Sequence, residues 1–402
     1  MTDRASPSPI PRAARARLLA LARGFPVVVL SGPRQSGKTT LARHAFPAHA
    51  YVSLEELDRR AAAIADPRGF LAQFDGGVVI DEVQHAPSLL SFLQSTVDAR
   101  RDMGRFVLTG SQNLLLSSQV GQSLAGRAAY LELLPLSYGE IAQRLDRASL
   151  DDVLVTGHYP ALYDRPLQPA DWHASYLATY VERDVRQISR IADLMLFQRF
   201  MRLMAARCGQ LLNLSSLAAD LGIAQTTARD WLAVLEASYI VFRLPPYHGN
   251  FGKRLVKMPK LYFLDVGLAS HLLGIDGAQA MNSNPMRGPL FENMMIVEYL
   301  KHCRNAGLNH GLYFWRDNVG NEVDLLIDRA GVLWPVEFKS GATLQREWCK
   351  PLVRWADHAA GARQGAPMLI SAAPGNLMVD GVMAAHWRDA AKVLAAGAVD
   401  RR

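Results

Sequence analysis

Between residues 25 and 160, short apolar runs alternate with segments of helical spacing. The apolar runs are "PVVVLSG", "GGVVIDE", "GRFVLTGS" and "AAYLELLPL", and each has the length of a buried strand. Helical spacing is found in "KTTLARHAF", "SLLSFLQSTVDARRD" and "SYGEIAQRL". Apolar strands separated by helices predict an α/β fold with a parallel sheet.

The pattern becomes helical between about residues 171 and 245. The segment 171–191 is long and amphipathic, and "NLSSLAADLGIAQTTARDWLAVLEASYIVFRLPPY" comes after it. In the second stretch a helix at 215–220 meets a Leu-Gly-Ile turn, a second helix at 225–236 and a β-rich tail. This layout predicts a helix-turn-helix with a wing.

A second α/β unit begins near residue 287. It opens with the helical segment "LFENMMIVEYLKHC" and continues with the apolar strands "LYFWRD", "NEVDLLID" and "LWPVEFKS". The change from helices back to strands predicts a separate C-terminal domain, in keeping with the two or three domains expected of 402 residues.

Composition adds mainly exclusions. Apolar residues make up 50% and charged residues 20%, as in ordinary globular proteins. The three cysteines are too far apart to predict a disulfide framework or a zinc cluster. The first residues lack the apolar core of a signal peptide, and no uncharged apolar run approaches a membrane span, so we expect a cytoplasmic protein without a membrane partner.

The net charge of +7 permits an anionic partner such as nucleic acid without requiring one, because many basic enzymes have a similar charge. Charge alone therefore favours DNA only slightly. The candidate chemistry has to come from motifs.

The first motif matches G-x-x-x-x-G-K-[ST] and lies between a strand and a helix. Its glycines allow backbone N–H groups to surround phosphates, and the helix that follows adds the positive end of its dipole. Lys38 is expected to reach the β- and γ-phosphates, and Thr39 to bind Mg²⁺. The predicted ATP-binding residues are Gly32, Pro33, Arg34, Gln35, Ser36, Gly37, Lys38, Thr39 and Thr40.

The second motif is the acid pair of "VVIDE". Asp81 ends a buried strand, where an unpaired carboxylate would be costly, so we expect it to hold Mg²⁺ directly or through water. Glu82 is the candidate base that orients the attacking water. The alternative is a helix-capping acid pair that precedes "HAPSLL".

The third motif is "VLTGSQN", in which polar residues end the next strand. Ser111 is the candidate contact to the γ-phosphate or the attacking water, and Thr109 is the reserve. Ordinary hydroxyls at a strand-to-loop junction would give the same pattern.

Taken in order, several stretches resemble the AAA-type P-loop ATPases of a prokaryotic group with a conserved C-terminal domain of unknown function. They are "LSGPRQSGKTTLAR", "VVIDEVQHAPSLL", "FVLTGSQNLLL", "SLAGRAAYLELLPLS", "YVERDVRQI", "LNLSSLAADLGIAQTTARDWLAVLEASYIVFRLPPY" and "KRLVKMPKLYFLDVGLA". The resemblance covers residues 20–345 or so and implies ATP binding and hydrolysis with Mg²⁺. It implies no settled biological role.

AAA-type sites often receive an arginine from a neighbouring subunit, which would make the protein a homo-oligomer. Arg127 and Arg183 are the candidates for a catalytic arginine, and Arg127 is favoured because it lies in the ATPase core. Either residue could instead be an ordinary surface or salt-bridge arginine.

The helix-turn-helix has two interpretations. Residues that open its second helix have side chains of the type that contacts bases or phosphates. The candidate DNA contacts are Gln225, Thr226, Thr227 and Arg229. The alternative is a protein-packing module, because Arg229 is the only basic residue of this helix.

The C-terminal unit carries an acid, a second acid and then E-x-K, which resembles the pattern of PD-(D/E)xK nucleases. Glu337 and Lys339 are two apart on a strand and therefore share a face. Asp324 and Glu337 could share a Mg²⁺, Lys339 could act on the attacking water, and Glu292 could complete the metal shell. The alternative is a nuclease-like fold kept as a DNA-binding or packing module.

Together these patterns predict a P-loop NTPase parallel sheet with helices, then a helical and winged-helix module, then an α/β nuclease-like domain. The expected bounds are an N-terminal tail at 1–20, the ATPase core at 21–165, the helical and winged-helix module at 166–250, a connecting segment at 251–286, the nuclease-like domain at 287–385 and a tail at 386–402. We expect ATP hydrolysis coupled to DNA binding or processing. The alternative is an ATP-dependent switch on protein partners, with an inactive nuclease-like domain.

Overall fold

The computed structural model describes residues 10–100, 102–111, 124–180, 191, 193–249, 256–359 and 361–396. The N-terminal part is built on a five-stranded sheet, and the C-terminal part on a seven-stranded sheet. A helical region and a two-stranded sheet lie between them in the chain.

The first sheet is entirely parallel, as predicted. Its strands are β1 (Val27–Ser31), β2 (Ala50–Ser53), β3 (Val78–Asp81), β4 (Phe106–Gly110) and β5 (Ala128–Glu132). The spatial order is β2-β3-β4-β1-β5. Strands β1, β3, β4 and β5 lie where the apolar runs predicted them, and the sequence did not predict β2.

Both faces of this sheet are covered, which explains the continuous apolar runs. Val27 and Val29 pack into one core, while Val28 and Leu30 pack into another on the opposite face. The described helices around the sheet are α1 (Ala14–Gly24), α2 (Lys38–Ala45), α3 (Leu57–Ala65), α4 (Pro67–Ala72) and α5 (Leu89–Ala99), with a 3₁₀ turn at Val83–His85.

The predicted N-terminal tail at 1–20 is wrong for its second half. Residues from 14 onward form α1, which buries Ala14, Leu18 and Leu21. These positions repeat at helical spacing, and they pack into the core that contains Val28.

The middle region is mostly helical. Its helices are α6 (Tyr138–Ile141), α7 (Leu150–Thr156), α8 (Ala161–Asp164), α9 (Pro169–Tyr180), α10 (Leu194–Ala205), α11 (Leu214–Leu221), α12 (Gln225–Ala237), α13 (Val266–Leu272) and α14 (Ala278–Asn282), with a 3₁₀ turn at Ala142–Arg144. Strands β6 (Val241–Leu244) and β7 (Lys260–Phe263) pair antiparallel. The two helices predicted at 215–220 and 225–236 are confirmed as α11 and α12, and Gly222 ends α11 in the left-handed conformation.

The C-terminal sheet has the order β13-β14-β12-β10-β9-β8, and β11 pairs with β10. Its elements are α15 (Arg287–Ala306), β8 (Gly311–Arg316), β9 (Glu322–Arg329), β10 (Val332–Lys339), α16 (Lys350–His358), β11 (Arg363–Gln364), β12 (Met368–Ser371), β13 (Leu377–Val379), β14 (Val382–His386) and α17 (Ala390–Ala396), with 3₁₀ turns at Arg346–Cys349 and Trp387–Asp389. The predicted helix and three strands are confirmed as α15, β8, β9 and β10.

The predicted C-terminal tail at 386–402 is also wrong in part. Trp387 and Leu394 are buried in the large core that also contains residues of α15. Residues 390–396 form α17, so the folded domain extends beyond the predicted boundary at 385.

Helix α15 connects the C-terminal domain to the N-terminal one. The backbone N–H of Tyr138 donates to both carboxylate oxygens of Glu298, at 2.9 and 3.0 Å. The Lys301 ammonium donates to the Leu136 carbonyl at 2.8 Å. Both side chains are buried, so these polar contacts fix the helix against the end of the ATPase core. Across the described ranges, no helix has the length and apolar character needed to cross a membrane.

Candidate functional site

The phosphate loop between β1 and α2 requires glycine at its first position. Gly32 has φ +146°, and a Cβ there would lie 2.2 Å from the Leu133 carbonyl oxygen on the neighbouring chain segment. Lys38 begins α2, and its ammonium donates to the carbonyls of Gly32 at 2.9 Å and Pro33 at 2.7 Å. The lysine therefore crosses the concave side of the loop, where a phosphate group would lie.

Asp81, at the end of β3, is surrounded by hydroxyl groups. The Thr39 hydroxyl lies 3.1 and 2.9 Å from its two carboxylate oxygens. Thr109, from β4, donates to Oδ1, and Tyr51, from β2, donates to Oδ2 at 2.9 Å. Thr39 and Asp81 thus supply adjacent oxygen ligands of the kind that Mg²⁺ prefers, so the donor set fits this ion.

The sequence analysis did not predict that Thr109 and Tyr51 contact Asp81. Thr109 was the reserve candidate for a phosphate contact, and in the structure its hydroxyl donates to Asp81. Burial, followed by the charge of Asp81, raises the pKa of Tyr51 to about 12, so its phenol remains a donor at neutral pH.

Glu82 adopts a left-handed backbone conformation, with φ 55° and ψ 47°. Its carboxylate accepts hydrogen bonds from the Gln84 amide and from the Ser111 hydroxyl, the latter at 3.3 Å. The Gln84 amide also contacts the Ser111 oxygen at 3.2 Å. The structure thus brings Glu82 and Ser111 together with Gln84, which the sequence analysis missed.

A cavity of about 790 Å³ lies beside the phosphate loop and the acids Asp81 and Glu82. Lys38, Thr39, Asp81 and Glu82 line one side, and the opposite side comes from the helical region. The remaining lining residues are Arg34, Gln35, Gly37, Thr40, Glu55, Pro160, Ala161, Asp164, Arg165 and Thr179. The cavity has the size and the polar lining expected for a triphosphate and a metal ion.

A second cavity, of about 330 Å³, adjoins the first and shares four lining residues with it. The shared residues are Gly37, Thr40, Pro160 and Asp164. The other lining residues are the apolar Ile10, Pro11, Leu41 and Leu136 and the basic Arg12, Arg15 and His44. A partly apolar cavity beside a phosphate loop fits a nucleotide base.

Arg12 forms part of the wall of this second cavity. Its guanidinium donates to the Ser36 carbonyl at 2.5 Å, to the Leu134 carbonyl at 2.7 Å and to Glu140 at 3.0 Å. It therefore ties the phosphate loop to the chain after β5. The sequence analysis missed Arg12 because it lay in the predicted tail and matched no motif.

Arg127 lies away from these cavities. It directly precedes β5, and β5 pairs in parallel with β1 from Val27 onward, so Arg127 lies at the amino-terminal end of the strands, whereas the phosphate loop follows their carboxyl end. Its guanidinium makes a bidentate ion pair with Asp98, at 2.6 and 2.8 Å. A role in a neighbouring subunit stays a prediction, and Arg183 lies outside the described residues.

The four residues of the nuclease-like pattern meet in one buried region with Lys260 from β7. The Lys260 ammonium binds Glu292 at 2.9 Å and also pairs with Glu322. The Tyr262 hydroxyl donates to Glu292 at 2.5 Å. Asp324 accepts from the backbone N–H of Phe338 at 2.9 Å.

Glu337 and Lys339 share a face of β10, as predicted, and their charged groups lie 2.5 Å apart. The other oxygen of Glu337 is buried and has no hydrogen-bond partner among the residues that the structure describes. Burial raises the pKa of Glu337 well above its usual value, and Asp324 adds to the shift. Burial likewise raises the pKa of Glu292 to about 7, although Lys260 opposes this shift.

Lys260 is therefore a cation within the acidic region, and sequence reasoning missed it because it lies outside the C-terminal domain. Among the side chains that the structure describes, no three His, Cys, Asp or Glu residues are arranged to hold a metal ion. Metal binding at the nuclease-like residues stays a prediction.

The predicted DNA contacts begin α12. Gln225, Thr226 and Arg229 are exposed, and Thr227 is half-buried. Exposed side chains at this position could contact either DNA or a protein partner, so DNA contact also stays a prediction.

Three protein-family models match the chain in succession. Residues 24–142 match an AAA domain. Residues 147–279 match a domain of unknown function, DUF8612, and residues 287–389 match another, DUF4143.

Relatives extend this similarity across most of the chain. The uncharacterized proteins Rv2008c of Mycobacterium tuberculosis and Mb2031c of Mycobacterium bovis are each 33% identical over 337 residues, which is 83% of this chain and 74% of theirs. An uncharacterized protein of Haemophilus influenzae is 26% identical over 240 residues, 56% of this chain and 57% of its own. Among solved structures, the Walker-type ATPase paby2304 of Pyrococcus abyssi aligns over 64% of this chain and 94% of its own, with 13% identity and a TM-score of 0.44.

The AAA match covers the sheet that carries the phosphate loop, and the DUF4143 match covers the C-terminal sheet. The chain therefore belongs to the family of the mycobacterial protein Rv2008c, with an N-terminal P-loop ATPase domain of the AAA type and a C-terminal DUF4143 domain.

Proposed function

We propose that this protein binds ATP in the two adjoining cavities, hydrolyses it with Mg²⁺, and couples hydrolysis to DNA through its C-terminal modules. The observation that carries the proposal is the convergence of Lys38, Thr39, Asp81 and Glu82 on one cavity. Together they supply the groups that phosphoryl transfer needs. Lys38 is a cation that can bind phosphate, Thr39 and Asp81 are oxygen ligands for Mg²⁺, and Glu82 is a base.

Phosphate binding falls to the loop and Lys38. The loop presents backbone N–H groups and the positive end of α2, and Lys38 exchanges the Gly32 and Pro33 carbonyls for phosphate oxygens. Bound Mg²⁺ would neutralise charge on the phosphates, and Thr39 and Asp81 would hold it.

Water activation falls to Glu82. The Gln84 amide and the Ser111 hydroxyl orient its carboxylate at the cavity, where one oxygen accepts a hydrogen bond from the attacking water. The proton moves to Glu82 as the water attacks. The backbone of Glu82, left-handed and strained, sets the direction of the side chain.

Coupling to the rest of the chain is supported at the end of β1. The Tyr239 hydroxyl, just after α12, bonds the Ser31 hydroxyl at 3.0 Å, and Ser31 directly precedes the phosphate loop. Arg304 of α15 pairs with Glu132, at the end of β5, at 2.7 Å. Movement of the phosphate loop on hydrolysis would therefore be transmitted to the helical module through Tyr239 and to the C-terminal domain through Arg304.

DNA is proposed as the target because exposed polar side chains open α12 and the chain is basic. One observation favours the alternative, a switch that acts on protein partners. Residues 193–249 contain five arginines against four acidic residues. Two of these arginines are already paired, Arg207 with Asp220 and Arg243 with Glu236, so the local positive charge is small.

The test is an ATPase assay with and without duplex, branched and single-stranded DNA, with DNA cleavage measured in the same samples. We expect hydrolysis by the wild type, loss of nucleotide binding in Lys38→Ala, and wild-type behaviour in Lys350→Ala, an exposed lysine of α16. No hydrolysis under any condition would refute the ATPase proposal.

DNA binding is measured separately as a function of salt. We expect binding that weakens with salt, because contacts to phosphates release counterions. If the protein binds none of the DNAs at low salt, the DNA proposal fails and the protein-partner alternative stands. Cleavage with Mg²⁺ or Mn²⁺ that disappears in Lys339→Ala would add nuclease activity.

A further inference from the structure

Asp81 is held from both sides by the strands that flank β3. In the parallel register, Tyr51 pairs with Val79, two residues before Asp81, so the side chains of Tyr51 and Asp81 leave the same face of the sheet. On the other flank, β4 brings Thr109 beside Asp81. The carboxylate thus lies between a phenol and a hydroxyl.

The two flanking donors bind different oxygens. Thr109 donates to Oδ1 and Tyr51 donates to Oδ2. A carboxylate has about four acceptor positions, two on each oxygen. Each donor takes one, so Tyr51 and Thr109 hold the carboxylate from the two flanking strands, and the Thr39 hydroxyl lies within hydrogen-bond distance of both oxygens.

Tyr51 is itself held in place. The guanidinium of Arg43, on α2, lies 4.8 Å from the centre of its ring. The side chain is 39% exposed on the edge strand β2, and its hydroxyl donates to Asp81 Oδ2.

We propose that Tyr51 is a positioning residue for Mg²⁺: through its hydrogen bond to Asp81 it orients the carboxylate that holds the ion. The inference rests on the proposed ATPase function and adds a residue to it. Groups that orient metal ligands typically change metal affinity by about 10–100-fold when removed, without being ligands themselves.

The test is the Mg²⁺ dependence of nucleotide binding in Tyr51→Phe, which retains the ring and removes the hydroxyl. Binding of a fluorescent ADP is titrated at increasing Mg²⁺ and also in EDTA. We expect the Mg²⁺ concentration at half-saturation to rise about tenfold, with the affinity in EDTA unchanged. Thr109→Val, which removes the opposite donor, should shift the Mg²⁺ midpoint in the same direction.

Tyr130→Phe is the matched control. Tyr130 lies on β5, at the opposite edge of the same sheet, and is likewise partly buried. An unchanged Mg²⁺ midpoint in Tyr51→Phe, or an equal loss of affinity with and without Mg²⁺, would overturn the inference. If the wild type binds no nucleotide in either condition, the proposed function itself is refuted, and the inference with it.

Discussion

At the scale of single residues, Glu82 combines a strained backbone with the proposed role of catalytic base. A left-handed backbone is unfavourable for a residue with a side chain, and it costs of order 1–3 kcal/mol unless the surroundings impose it. Here the 3₁₀ turn that follows and the bonds to Gln84 and Ser111 hold the conformation. The strain aims the carboxylate at the cavity.

Glu82→Gln should bind ATP normally and hydrolyse it at least about 100-fold more slowly, because an amide cannot accept the proton of water. Nucleotide affinity and single-turnover hydrolysis measure the two effects separately. Glu55→Gln is the control, since Glu55 lines the same cavity. Unchanged hydrolysis in Glu82→Gln would show that another group is the base.

Lys260 is the residue on which the buried acids of the C-terminal domain most clearly depend. Removing one partner of a buried ion pair leaves an uncompensated charge, which typically costs about 3–5 kcal/mol. Lys260→Met should therefore lower the free energy of unfolding by about that amount in urea titrations. Lys260→Met combined with Glu292→Gln should recover part of the loss.

Lys392→Met is the control for this experiment, because Lys392 is largely exposed in its weak pair with Asp389. A stability of Lys260→Met within about 1 kcal/mol of the wild type would mean that the acids are neutral without the lysine.

At the scale of elements, α15 is the main connection between domains. Glu298 satisfies the N–H of Tyr138, and Lys301 satisfies the carbonyl of Leu136, both in buried surroundings. These contacts join α15, the first helix of the C-terminal domain, to the segment that follows β5 of the ATPase domain. Loss of either would leave a buried polar group without a partner.

Glu298→Leu should lower the free energy of unfolding by about 1–3 kcal/mol, the cost of an unsatisfied buried donor. Urea titration gives the value, with Glu347→Leu, at an exposed position, as the control. If Glu298→Leu is as stable as the wild type, water or a backbone shift replaces the carboxylate, and α15 is not fixed by this contact.

The elements also show what the sequence could and could not predict. Strand β3 was predictable because it is a continuous buried run that ends in Asp81. Strand β2 was not, because it lies at an edge and exposes Ala50 and Tyr51, so no apolar run marks it. Its residue Tyr51 was missed with it.

The same limit applies to individual contacts. The joint position of Lys38 and Thr39 at the phosphate loop was predictable because both belong to one local motif. Arg12 binds Glu140, which is 128 residues away, and no local pattern encodes that contact. Lys260 was missed for the same reason: its acidic partners lie across a domain boundary, and only tertiary packing brings them together.

At the scale of the whole molecule, the question is whether one chain completes the ATP site. Arg165 lines the phosphate cavity, while Arg127 lies at the amino-terminal end of the sheet's strands and pairs with Asp98. If Arg127 serves a neighbouring copy, assembly is needed for full activity.

The hydrolysis rate per subunit should then rise with protein concentration, and Arg127→Ala should abolish the rise while ATP affinity is kept. Steady-state assays over a wide concentration range, paired with sedimentation, measure both. Arg100→Ala, at another exposed arginine of the same unit, is the control. A rate per subunit that is constant with concentration would exclude an arginine supplied in trans.

The docking of α15 also has a consequence for how the chain is made. Tyr138 and Leu136 leave the ribosome 160 and 165 residues before Glu298 and Lys301, respectively. At about 5–20 residues per second, that interval lasts roughly 10 to 30 s. During this time the nascent ATPase core has its phosphate loop but not the helix that covers its edge, so that surface is available to chaperones until translation passes α15.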